Sequence, residues 1–145
     1  MPPGRTMSGP VERGEEERLG LRAVVHLVAA EVARGDLVPA TVVVRAAAGS
    51  SPRKAEWGAP VTGGIRQPGA VDPSGWFSGR VAGVGRRAIL APEQPISIIA
   101  IVGTTPIVPG RVLPLGMYQV VVDVFLNLGP DAVTLRAVGP EIRLV

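Results

Sequence analysis

The sequence predicts a mainly β protein: an antiparallel β-sandwich or jelly-roll-like barrel with an N-terminal arm and one short helix. Three observations predict it. From Tyr118 to Leu128 the residues Tyr118, Val120, Val122, Val124, Leu126 and Leu128 fall on alternate positions, so a strand would point all six to one face. The apolar share is 46% while aromatics make up only 3%, so the core must be built from Val, Ile, Leu and Ala. The β-branched members of that set suit a pleated surface. Finally, 19 Gly and 15 Pro punctuate the 145 residues, which fits short strands and turns better than a helical bundle. A chain of this length supports one domain with a full core.

Met1–Gly14 is polar and rich in Pro and Gly, with no periodicity. It is expected to be a loose tail in isolation, or an arm that orders on a partner. Residues 15–36 are expected to form a helix packed on the body. Leu21, Val24, Val25, Val28 and Val32 recur near the helical period. Glu15-Glu16-Glu17 would sit at the positive end of the helix dipole, and Arg34-Gly35 would close the last turn. A pair of strands around Ala33-Arg34-Gly35-Asp36 is the rival reading. Arg34-Gly35-Asp36 is also the tripeptide of cell-adhesion ligands, and as a helix end it needs no such role.

Residues 37–145 are expected to form the β domain. Leu37–Ala48 reads as a strand. Residues 49–85 read as a long loop region dense in turn chemistry, with Trp57, Trp76 and Phe77 inside it. Large aromatics in such a loop predict a surface that binds something or packs on a neighbouring element. Arg87–Leu90 reads as a short strand. Ile96–Val102 is a near-continuous apolar run, suited to a central strand covered on both faces. Ile107–Gly116 is apolar but spaced by prolines, which predicts an edge strand or an extended surface arm. After Tyr118–Leu128, Gly129-Pro130-Asp131 turns the chain, Ala132–Val138 forms a strand, Gly139-Pro140 turns again, and Glu141–Val145 closes with Ile142 and Leu144 inward.

Net charge is +3, and all of it lies in residues 46–110, with six basic residues against three acidic. Arg53, Lys54, Arg66, Arg80, Arg86 and Arg87 supply it. A modest basic face of this kind suits an acidic protein partner, and nucleic acid is the weaker alternative. The stretch Gly79–Arg87 is Gly-rich but has neither phosphate-loop spacing, and predicts a bulged or tight hairpin with exposed Arg.

Catalytic chemistry is sparse. There is no Cys, and His26 is the single His, between Val25 and Leu27. Neither a Ser-His-Asp arrangement nor a ligand cluster can be assembled. The expectation is a non-enzymatic protein with no catalytic residue, no cofactor and no metal. No apolar run approaches the roughly 18–20 residues of a membrane span. The first residues lack the apolar segment of a secretory signal, so a soluble protein made in the cytoplasm is expected.

A β body rich in Val, with an extended Met1–Gly14 segment and a short strand Gly139–Val145 at its end, resembles phage virion proteins. The likeness is to head-decoration (cement) proteins and small jelly-roll capsid subunits. It is architectural, so no residue role is carried over. It implies location in the virion and a homo-oligomer, with a trimer favoured, seated at three-fold positions of a lattice of major capsid protein. The arm would run across neighbouring subunits. Contact would fall on Trp57, Trp76, Phe77, Arg80, Arg86, Arg87, Pro106, Pro109 and Pro114. The alternatives are an Ig-like or carbohydrate-binding-type β-sandwich module, and a nucleic-acid-associated protein using the basic middle segment.

Overall fold

The two longest strands are β10 (Gly116–Asn127) and β11 (Ala132–Leu144), and they form the hairpin on which the fold is hung. The computed structural model describes residues 20–145, so the arm expected over residues 1–14 lies outside the described residues. The six alternating side chains from Tyr118 to Leu128 are all buried, as the period-two pattern requires. Val133, Leu135, Ala137, Ile142 and Leu144 of β11 face the same core.

Gly139-Pro140 does not turn the chain. Strand β11 runs straight through it, and the register shifts there: Gln119 faces Glu141 while Val121 faces Val138. Two residues of β11 thus oppose Val120 alone, which is a β-bulge. Pro lacks the N–H a regular ladder needs, and a bulge is where a strand tolerates that loss.

The remaining strands, in chain order, are β1 (Leu21–Leu27), β2 (Glu31–Val32), β3 (Leu37–Ala46), β4 (Arg53–Ala59), β5 (Val61–Arg66), β6 (Gly75–Trp76), β7 (Val84–Leu90), β8 (Ile96–Gly103) and β9 (Thr105–Pro106). The described residues contain no helix. The hydrogen-bonded order β1-β3-β8-β5-β10-β11-β2 makes a single curled sheet, a half-barrel. Across the curl β11 packs on β1: a Cβ added at Gly139 would lie 2.9 Å from Cβ of Val25, so the close approach favours Gly here. Most pairs are antiparallel, but β5–β8 and β2–β11 are parallel.

The helix expected over residues 15–36 is not formed in its described part. Leu21, Ala23 and Val25 also alternate, and that period won because β3 supplies an antiparallel partner from Ala40 to Ala46. Val28, which the helical pattern placed inward, is exposed. His26 lies exposed on β1, not in an apolar helical setting. Arg34-Gly35-Asp36 sits in the turn between β2 and β3. Buried Thr104 ties that turn down, accepting from Gly35 N at 2.8 Å and donating to the Asp36 carbonyl at 2.9 Å.

The long loop expected over 49–85 contains strands β4, β5 and β6 and the start of β7. Its glycines serve close approach as often as turns. Gly64 pairs with Trp76 across β5 and β6, and a Cβ there would overlap the Gly75 carbonyl oxygen. Gly79–Arg87 does not form the expected bulged or tight hairpin, although its Arg80, Arg86 and Arg87 are exposed: β7 pairs with β4, with β5 and β6 between them in sequence. Strand β8 is central, between β3 and β5, and within Ile96–Val102 only Ile96, Ile98, Ala100 and Val102 are buried. Its other face is open at Ser97 and Ile99, with Ile99 63% exposed and Ile101 half-buried, so the continuous apolar run did not mean full cover on both sides.

Tyr118 closes the base of β10. Its hydroxyl donates to the Pro114 carbonyl at 2.7 Å. Burial lifts its pKa above the usual 10.0, and the positive charge of Arg34 lowers it in part. A raised folded-state pKa favours folding fully below the unfolded value and is lost as pH rises through the folded one. Stability therefore falls as pH climbs past about 10. Tyr118→Phe removes that slope and costs about 1 kcal/mol at neutral pH through the lost hydrogen bond. Urea midpoints at neutral and high pH, with phenolate absorbance of this single Tyr, check both effects.

Candidate partner-binding surface

The sheet forks where β4 passes into β5. Strand β5 runs on between β8 and β10, while β4 leaves with β7 as a two-stranded ribbon whose one bridge to β10 is Asn127 to Glu56. Ala55, Trp57 and Ala59 turn into the core and anchor the ribbon, together with Leu90 at the end of β7.

Strand β7 has no such shelter. Every residue from Val84 to Ile89 is exposed, on both faces of the strand. Val84 is 55% and Ile89 45% exposed. Among the described residues β7 pairs on one side only, with β4. Its free edge therefore presents unpaired main-chain N–H and C=O groups.

Cross-strand register fixes what each ribbon face carries. Lys54 faces Ile89, Glu56 faces Arg87 and Gly58 faces Gly85 on the outer side. Ala55 faces Ala88, Trp57 faces Arg86 and Ala59 faces Val84 on the other. The ribbon holds four basic side chains, Arg53, Lys54, Arg86 and Arg87, against Glu56 alone. Where it meets β10, an open groove of about 620 Å³ has Gly58 and Gly85 as its floor. Glu56 and Arg87 stand at one side, and Phe125 and Asn127 of β10 at the other. Phe125 is 57% exposed, and it alternates with the buried Val124 and Leu126.

The residues proposed from sequence as contacts separate into groups. Arg86 and Arg87 lie together on β7, and exposed Arg80 precedes it. Trp57 lies in the core at 9% exposure. Trp76 and Phe77 are half-buried alongside β5, with Trp76 Nε1 donating to Thr62 Oγ1 at 3.4 Å and Phe77 N to the Gly63 carbonyl at 3.0 Å. Pro106 belongs to β9, which pairs with β6 beside them. Pro109 and Pro114 are exposed on the extended segment 107–115, which forms no strand and shows Ile107, Val108, Val112 and Leu115 to solvent. Trp76 and Phe77 thus lie beside β5, while Arg86 and Arg87 lie beside β4 with Trp57 facing Arg86, instead of all on one loop. Phe125 and the Gly58–Gly85 floor were missed by sequence reasoning. The outward phase of Phe125 in the β10 alternation was the signal that could have found it.

A second polar cluster lies on the outer side of β10. Arg66 is buried and faces Gln119 across β5 and β10. It donates to Gln119 Oε1 at 3.1 Å and to the Val71 carbonyl at 3.2 Å. Arg136 reaches the same carbonyl at 3.4 Å and holds Asp123 in a two-point ion pair, at 2.8 and 3.2 Å. These bonds pull the segment after β5 down over the sheet. They leave Asp123 committed to Arg136.

Among the described residues no group of three or more His, Cys, Asp and Glu could hold a metal ion. No helix there is long and apolar enough to cross a membrane. No protein-family model matches the chain, and no curated protein matches it.

Proposed function

We propose that this is a non-enzymatic structural protein of a viral particle, a capsid decoration protein that binds a lattice of major capsid protein as an oligomer. The observation that supports the reading is β7, a strand exposed on both faces and unpaired along one edge. A ribbon standing off a curled sheet offers edge and faces together, as a surface that completes itself on a neighbour does. The apolar side chains exposed on the segment 107–115 add a second contact zone. In a trimer, each weak contact is repeated and the copies reinforce one another.

Sedimentation of lysate from the native producer tests it, with the protein followed by mass spectrometry. Migration with a large particle is the expected result. Recovery only as a small species overturns the reading.

The groove beneath Phe125 favours a second reading, a carbohydrate-binding-type module. An exposed aromatic face beside an amide and the facing charges of Glu56 and Arg87 can stack on a sugar ring and bond its hydroxyls. Saturable binding in a glycan screen would move the protein to that class.

A further inference from the structure

We propose that β7 is a docking edge which takes up an acidic, extended segment of a partner protein as an added strand. The inference gives the partner chemistry for the surface above and rests on that reading. Three features support it. The edge is open along Val84–Leu90, so about every second residue offers its main chain outward. Both faces are bare, so side chains of an added strand find neighbours on either side. And the ribbon is basic, with Arg86 and Arg87 on opposite faces.

That placement predicts a pattern. In antiparallel pairing, two consecutive acidic residues of the partner fall opposite Arg87 and Arg86. The residue opposite Ile89 is apolar, as is the one opposite Val84, while Gly85 leaves room for a larger side chain. Pairing of β7 with β7 of a second copy is disfavoured by the same geometry. Registers centred on the strand put Arg against Arg, and like charges directly opposite are destabilising.

The probe is a labelled peptide, Thr-Val-Val-Glu-Glu-Thr-Val-Thr, titrated against the full chain at low salt. Binding is expected, with new protection of the β7 amides from hydrogen exchange. Arg86→Glu with Arg87→Glu should weaken it at least about tenfold. The exposed positions leave folding intact, which circular dichroism verifies. A peptide with its two Glu replaced by Lys should not bind. A peptide N-methylated at alternate amides should lose binding, because the main-chain bonds are blocked.

Equal binding of the N-methylated peptide would overturn the added strand and leave charge alone. Tighter binding of a single-stranded oligonucleotide would overturn it in favour of a nucleic-acid surface. Absence of peptide binding would also overturn it. The two readings fail separately. Association with particles that survives both charge reversals sinks the docking edge and keeps the assembly role, while peptide binding without any particle association does the reverse.

Discussion

Replacing Gly64 by Ala should lower stability by about 3 kcal/mol or more, at the upper end of the cost of overpacking. The reason is the crossing of β5 and β6. A Cβ at Gly64 would overlap the Gly75 carbonyl and come within 2.6 Å of Cε3 of Trp76. Neither neighbour can yield cheaply. The carbonyl is main chain, and the Trp76 backbone is held by its pairing with Gly64 and Thr105. The indole lies across the Gly64 backbone, covering a residue with no side chain of its own. Main-chain shifts would spread to β9 and to Leu113, whose Cδ1 packs close to Gly75. In thermal melts the midpoint should drop by roughly 10 °C for a chain of this size. An unchanged midpoint would show that the β5–β6 approach is looser than described.

Leu126→Ala should cost about 3 kcal/mol, within the usual range for emptying a fully buried Leu site. Leu126 is completely buried and faces Val133 across the hairpin. The β11 strand beside it is fixed to β10 by a long ladder, so the cavity cannot collapse readily. The adjacent Phe125→Ala should change stability by about 0.5 kcal/mol or less, since its ring is mostly in solvent. Denaturant midpoints of the two variants test the alternation directly. Similar losses at both positions would contradict it.

The strands from Tyr118 to Val138 were legible because each turns one apolar face inward. That pattern needs no knowledge of partners. The passage of β11 through Gly139-Pro140 was not legible, because a bulge there absorbs the proline. Strand β1 was not legible, because Leu21–Val32 matches both helical and alternating periods, and what decides between them is β3, encoded elsewhere. The strands β4 to β6 were hidden by their composition. Gly58, Gly63 and Gly64 read as loop residues, while in the fold they admit the close approach of other backbone or form a groove floor. The basic bias of the middle segment was visible as charge. Its concentration on one exposed ribbon was not, since that follows from a pairing of β4 with β7 across intervening strands.

The insertion of β5 between β8 and β10 also orders events in time. Only β10 and β11 among the long strands meet through a tight turn, closed by Leu128 N to the Asp131 carbonyl at 2.7 Å. The other long ladders close larger loops, from Leu27 with Ala40 up to Leu37 with Gly103. Loop closure must be met before such pairings reward the chain. Folding should therefore be slow for the size, on the order of milliseconds to seconds. The β10–β11 hairpin should form early, and the sheet should become complete when β5 enters between strands already in place.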